Sequence, residues 1–504
     1  MKDAMRRMKP FGVAALAGVL VLAGCTPGPK YQRPAAVVPP AFKEQPPADF
    51  KEAQGWKQAQ PNDGQLKGKW WEIYNDPDLN ALEEQVALNN ENLLQAEAQY
   101  REATAAVRIV RSGLYPTVST APSLTESRTS PNTGGAGGMR SAFSLPITAS
   151  WEPDLWGNIR RSVTAAAAQA QVSAADLENA RLLYQSQLAQ DYFALHGLDR
   201  DIELLTRTVK SYAEYLELTR NRFAGGVASD LDVAQAESQL YAAQTQLTDF
   251  GVTRAQLEHA IAVLTGQPPA AVTVTAKTLT MPPPPVPIEL PSMLLERRPD
   301  IAANERLAAA ANEQIGIAEA AFFPALTLAA TAGLQASRIT TWLSWPSRFF
   351  SVGPTLAETI FDAGRRRAQV SQNLAAYDAA VAAYRQSVLT AFQQVEDSLS
   401  TLRILAEESV VADLSVKSAD RALAVSTAQY RAGTTAYLTV LTAQATALAA
   451  ERTQIDLLTR RHEASVQLVV NLGGGWDTSQ LPTKQDIVKT AKPPQPPAAP
   501  AKTQ

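Results

Sequence analysis

Cysteine is all but missing. Cys25 is the only one in 504 residues, so no intramolecular disulfide can form. Histidine is nearly as scarce: His196, His259 and His462 are scattered along the chain without metal-ligand spacing. Charge is also thin, with charged residues at 19% against roughly 25% in ordinary soluble proteins. The formal net charge of −3 leaves no footprint for nucleic acid or for anionic lipid. Two glycine clusters, "GGAGGM" and "NLGGGW", lack the lysine and the strand-to-helix context of a phosphate loop. Beyond the N-terminus no run of 18 apolar residues occurs, so no transmembrane helix is expected. Together these absences leave no constellation for catalysis, and no cofactor is expected.

The N-terminus is richer. Lys2, Arg6, Arg7 and Lys9 precede an apolar run from Phe11 to Leu22, the charge and length of a secretory signal. The run ends in "LAGC", which resembles a bacterial lipobox. That resemblance implies cleavage before Cys25, then N-acylation and S-diacylglyceryl modification of the new N-terminus. Thr26 stands where an aspartate would resemble an inner-membrane retention signal, which favours the outer membrane.

Proline marks where helices are forbidden. Its residues crowd between Pro27 and Pro61, between Pro268 and Pro299, and after Pro482; none falls between Pro153 and Pro268 or between Pro354 and Pro482. Within the first gap Leu198, Ile202, Leu205, Val209, Tyr212 and Leu216 follow a 4-3-4-3-4 spacing, and within the second Leu374, Tyr377, Val381, Tyr384 and Val388 follow 3-4-3-4. An average of 3.5 is a coiled-coil seam. Helices over about 162–222 and 364–429 would be rods of roughly 90–100 Å. Each is followed by a turn and a return helix, about 230–264 and 437–472. Gly225, Gly226 and Gly433 are expected to supply left-handed turns, and Ser229 or Asp230 the next cap.

The two halves repeat one plan. Gly433 lies 207 residues after Gly226, as Leu438 does after Leu231 and Gly364 after Gly157. Between the helices are segments that alternate apolar and polar, such as Phe143, Leu145, Ile147, Ala149 and Trp151 against Ser144, Thr148 and Ser150. That is the pattern of a membrane β-barrel, with strands expected at about 117–130, 141–152, 325–336 and 348–358. Trp151, Trp342, Trp345 and Phe349 are candidates for interfacial aromatic girdles. Four strands cannot close a barrel in lipid, so the chain must oligomerise; two copies would give eight strands and three would give twelve.

"LAGCTPGPKYQRP", "LWGNIRRSVTAA", "RFAGGVASDLDVAQAE", "LLERRPDI" and "YRAGTTAYLTVLTAQ", in that order, resemble the TolC-like outer-membrane efflux channels, specifically the OprM-type lipoproteins. The resemblance implies a mainly α protein with membrane β-strands. The expected assembly is a homotrimer sharing one twelve-stranded β-barrel, with a long α-helical coiled-coil barrel in the periplasm. Its implied partners are a periplasmic adaptor, an inner-membrane RND transporter and outer-membrane lipid. Its implied work is passive conduction of small molecules out of a tripartite efflux system. A protein-secretion channel of the same fold and a coiled-coil envelope lipoprotein are the alternatives. The chain divides into a signal peptide (1–24), a lipid-anchored proline-rich segment (25–70), a first repeat (71–267), a linker (268–298), a second repeat (299–475) and a tail (476–504) of disordered composition.

Tips of such channels close by convergence of return-helix residues, at about 223–231 and 430–438. Close relatives commonly carry an aspartate where this chain has Thr442 and often an arginine where it has Ala445. Leu438 therefore becomes the candidate apolar constriction. Asp230 and Asp232 could cap and complement the helix, or Asp232 could form an acidic collar. Tyr430 and Arg431, read as surface residues of the turn, are candidate links between neighbouring hairpins. Arg297 and Arg298 are read as girdle contacts.

Overall fold

Two helices of 67 residues organise the molecule, α3 (Asn158–Ala224) and α6 (Arg365–Arg431). The computed structural model describes residues 26–44, 69–130, 132, 138–286 and 294–489; Cys25, the signal segment and the last residues of the tail lie outside these. Alanine, leucine, glutamine and arginine, all strong helix formers, recur through both helices, and no proline breaks their hydrogen-bond ladder, so each runs about 100 Å. One device starts both. The Asp154 carboxylate accepts from the backbone N–H groups of Ile159 and Arg160 at 3.0 and 2.9 Å. Asp362 does the same for Gly364 and Arg366 at 3.1 and 3.3 Å. The residues just ahead of the helices, Gly157 (φ 79°) and Gly364 (φ 86°), are left-handed, and they stand 207 positions apart.

The return helices, α4 (Asp230–Leu264) and α7 (Tyr437–Asn471), have 35 residues each. Ahead of the long helices lie α1 (Pro77–Asn89) and α2 (Glu91–Ser112) in the first half and α5 (Pro299–Ala320) in the second. The bases of the two hairpins meet in the main core, where Trp70, Tyr192, Phe193, Tyr384 and Leu399 are buried together. Arg298 is drawn into this region. Its guanidinium donates to the Asn471 carbonyl at 3.1 Å and to Asp300 at 2.6 Å, tying the start of α5 to the end of α7. The linker after α4 is pinned as well: Lys277 donates its Nζ to Asp76 at 2.7 Å and its backbone N–H to Asp199 at 3.1 Å. Burial alone would raise the Asp199 carboxyl, but hydrogen bonds from His196 and Arg254 hold it below its ordinary value.

The tail departs from its composition. Trp476 is buried, and a short helix α8 (Lys484–Lys489) lays Ile487 against Val107, Val163 and Ala170. Gln171 donates to the Pro482 carbonyl at 2.9 Å and Arg111 to the Val488 carbonyl at 2.6 Å. Residues 476–489 are therefore folded, because a few apolar side chains find a ready groove on α2 and α3 that composition cannot reveal.

The strands are β1 (Thr117–Thr120), β2 (Ser123–Arg128), β3 (Met139–Trp151), β4 (Ala325–Ala336) and β5 (Arg348–Ala357). β1 and β2 are one expected strand interrupted around Pro122, which has no N–H to donate. Both pair antiparallel with β3, which pairs with β4, which pairs with β5. The register aligns like with like. Val118, Ala149, Ala330 and Val352 form one row across the sheet, and Ser119, Thr148, Thr331 and Ser351 form the next. One face is thus apolar and the other polar through the middle of the sheet, with Thr120, Glu126 and Arg348 the polar exceptions towards its ends, and Val118, Ile147, Phe350 and Val352 stand exposed on the apolar face. Phe349 is on the wrong face for a girdle: it pairs with Gly333, on the face that holds Ser351 and Thr355. Trp151, a girdle candidate from the sequence, is joined by four aromatics that the alternation did not flag, Tyr115, Phe322, Phe323 and Phe361, and all five are exposed where strands meet helices, the place of a lower girdle. Among the described residues no helix is long and apolar enough to cross a membrane.

Candidate functional site at the hairpin tips

Both hairpins turn on a single left-handed glycine, Gly226 (φ 72°) and Gly433 (φ 76°). Gly225 is not part of that device; its φ is −80°, which any residue adopts. The first turn is closed by a capping box. Ser229 is the N-cap of α4 and accepts from the Asp232 N–H at 3.2 Å, while the Asp232 carboxylate accepts from the Ser229 N–H at 2.9 Å and its hydroxyl at 2.8 Å. Asp230 therefore is not the cap but the first helical residue, and Asp232 spends its carboxylate on the turn.

The second tip has no such cap; Ala436 precedes α7 and offers no side-chain acceptor. It is held by its neighbour instead. Tyr430, expected at the surface, is 5% exposed. Its carbonyl accepts from Arg222 at 2.5 Å, and the same guanidinium lies over its ring, 4.5 Å from the centroid. Tyr215 and Thr427 share a hydroxyl hydrogen bond at 2.8 Å, and Tyr437 packs 5.6 Å from the Tyr430 ring. Burial pushes the Tyr437 phenol up to about 12. With Tyr212, Leu216, Leu240 and Val440 these groups form a core between the two hairpins of one chain.

Within one chain the cation that links the hairpins is thus Arg222, while Arg431 is exposed. The repeat concealed this, because the 207-residue offset places Gln429 opposite Arg222 and Phe223 opposite Tyr430. Leu438 is 57% exposed at the start of α7, and its counterpart Leu231 is 65% exposed at the start of α4. Thr442, exposed one turn on, donates its hydroxyl to the Leu438 carbonyl at 2.9 Å and presents no charge. Among the described residues no cluster of His, Cys, Asp and Glu could hold a metal ion.

Comparison with known proteins is consistent along the chain. Residues 82–267 and 290–474 match the family model described as outer membrane efflux protein, one segment for each repeat. The pyoverdine export outer membrane protein OpmQ of Pseudomonas aeruginosa is 31% identical over 421 residues, 82% of this chain and 88% of that protein. The toluene efflux pump outer membrane protein TtgF of Pseudomonas putida is 30% identical over 472 residues, 93% of this chain and 98% of the relative. The solved outer-membrane channel OprN superposes with a TM-score of 0.80 at 30% identity, over 90% of this chain and all of that one.

Proposed function

Since the chain belongs to the outer membrane efflux protein family, we propose that three copies of it build one sealed duct, the exit channel of a tripartite efflux pump. The family consists of outer-membrane channels and not enzymes, so the molecule's work is conduction. The observation that carries the reading is the sheet of four strand positions, β1 and β2 sharing one, apolar on one face and among the described residues unpaired at both edges, continuous with helices about 100 Å long. An open edge in hydrocarbon strands its N–H and C=O groups, so β5 of one copy must meet the β1/β2 edge of the next. Three copies give twelve strands, a width that leaves an aqueous lumen.

The helices repeat the argument lower down. The outer face of α6 carries Ile404, Val411, Leu414, Ser418 and Val425, all exposed and in heptad spacing beside the seam already paired with α7. The face of α4 turned from its own hairpin carries Tyr241, Thr245, Thr248 and Val252, spaced 4-3-4 and likewise bare. Two different bare faces that complement each other make a heterologous contact, which closes into a ring. Phe223 fits the same scheme: its counterpart Tyr430 is buried on the sister hairpin, whereas Phe223, 46% exposed, faces the side where its own chain has no hairpin. Six pseudo-equivalent hairpins per trimer then explain the repeat.

Acylation of Cys25 belongs to this reading. Thr26, the next residue, packs against Gly157 at the foot of the sheet, where a lipid on its neighbour would enter the bilayer. At the tips, Leu438 supplies the constriction and the Arg222–Tyr430 tie holds the hairpins together, with opening as a splaying of the second hairpin from the first. An adaptor and an inner-membrane transporter supply contact and energy. The relatives export cargo as unlike as pyoverdine and toluene, which suits a duct whose selectivity is set upstream. The test is accumulation of a fluorescent efflux dye in cells lacking the gene, with and without complementation. Accumulation that complementation reverses supports efflux; unchanged accumulation for dyes of several classes, with protein secretion impaired instead, would transfer the duct to secretion.

A further inference from the structure

The net charge conceals a local excess of cations at the foot of the sheet. A cavity of 420 Å³ opens there, lined by Lys30, Arg160, Arg161 and Lys484 together with Leu114 and Thr26. Its height in the molecule is set by its neighbours. Leu114 accepts from the Trp151 indole at 3.1 Å, and Trp151 is the last residue of β3 and a member of the lower aromatic girdle. The cavity therefore sits where the hydrocarbon ends and headgroups begin on the periplasmic side, given the membrane placement argued above.

Two of the four cations are neutralised within the chain. Arg161 pairs with Glu313 at 2.9 Å and donates to the Gly28 carbonyl at 3.0 Å; Arg160 pairs with Asp154 at 3.1 Å. The other two are not. Among the described residues Lys484 donates only to the Thr164 hydroxyl, at 2.6 Å, and no carboxylate lies within ion-pair distance of Lys30 or Lys484. Both are exposed. Two uncompensated ammonium groups thus border a polar recess with an apolar wall at the membrane boundary. The protein's own anchor cannot serve as their counterion, because a diacylglyceryl thioether and an amide-linked acyl chain carry no charge.

We propose that this recess binds the phosphodiester headgroup of an anionic phospholipid of the inner leaflet, beside the acylated N-terminus. Lys30 and Lys484 hold the phosphate, and Leu114 and the girdle above accept the start of the acyl chains. Basic pockets at this depth are a general means of holding anionic lipids. The bound lipid would pin the N-terminal segment, which runs from Gly157 past Arg161 and lies against α5 through the Tyr31 hydroxyl, 2.6 Å from the Glu305 carboxylate.

The experiment is a lipid titration of the full chain in detergent, read by native mass spectrometry, with phosphatidylglycerol in one arm and zwitterionic phosphatidylcholine in the other. Tighter retention of phosphatidylglycerol is expected, and the Lys30→Ala/Lys484→Ala double variant should lose roughly 25-fold in that affinity while phosphatidylcholine binding stays unchanged. The oligomer mass in the same spectra shows that the variant is assembled. Equal retention of the two lipids, or a double variant that behaves like the parent, would overturn the proposal. Displacement of phosphatidylglycerol by millimolar inorganic phosphate would overturn the lipid assignment in favour of a free anion. None of these outcomes bears on dye efflux, so failure here leaves the conduction reading standing.

Discussion

Replacing Arg222 by leucine is expected to open the channel. In the structure its guanidinium donates to the Tyr430 carbonyl at 2.5 Å and stacks 4.5 Å over the Tyr430 ring. Leucine keeps the apolar stem of the side chain and removes both interactions. A hydrogen bond from a charged donor contributes about 1.5–3 kcal/mol, and a cation–π contact at a partly exposed site about 0.5–1 kcal/mol. Solvent can rehydrate the freed carbonyl, so the lower end applies, about 2 kcal/mol in total. The tie exists only while the second hairpin lies against the first, and its loss shifts the balance towards the splayed form by roughly 30-fold. Single-channel recording in planar bilayers reads this directly as longer open times or a larger mean conductance per trimer. Tyr430→Phe is the control: it removes only a 3.4 Å contact with Thr219 and leaves the carbonyl and ring in place, so it should resemble the parent. If Arg222→Leu assembles normally and its conductance histogram superimposes on the parent's, the tie does not hold the tip closed.

Other expectations concern separate levels of the molecule. Burial lowers the His462 imidazole to about 4, so this ring is neutral in the fold and donates Nδ1–H to the Leu458 carbonyl at 3.0 Å. Because its unfolded value lies near 6.5, the unfolded chain takes up more protons between these values. Stability is full above pH 6.5 and falls by about 3 kcal/mol as pH drops towards 4, and His462→Gln should flatten that part of a melting-temperature profile. Tyr241 and Ser418 each stand 15 positions from their tip glycine on the two bare faces. The pair Tyr241→Cys with Ser418→Cys should therefore cross-link into oligomers on oxidation, and neither single variant should do so; monomers alone would remove the proposed ring contact. Leu438→Ser should raise conductance, and an unchanged value would place the constriction elsewhere. Cys25→Ser should abolish incorporation of labelled fatty acid, and continued labelling would remove the anchor from Cys25.

The division of labour between sequence and tertiary structure is plain at particular positions. Proline-free stretches and 3-4 spacing define long helices because helix formation is local: a ladder of i→i−4 bonds needs only its own residues. The return helix expected over about 230–264 was therefore legible, as was strand β4 over about 325–336, whose alternation of Leu326, Leu328 and Ala330 with Thr327 and Thr331 is fixed by a two-residue period. The 207-residue offset announced two matching hairpins for the same reason.

What the offset could not decide is which of two equivalent positions turns inward. Tyr430 is buried and Phe223 exposed because one has a sister hairpin beside it in the chain and the other does not, and that is a fact of packing across long separations. The capping role of Asp232 depended on where the helix began by a single residue. Ile487 looked like part of a disordered tail until α2 and α3 offered it a groove, and Lys30 and Lys484 looked like ordinary charges in a chain of net charge −3 until the fold brought them to one recess. Local period determines elements, but burial, pairing and charge density are properties of residues that the chain brings together from hundreds of positions apart.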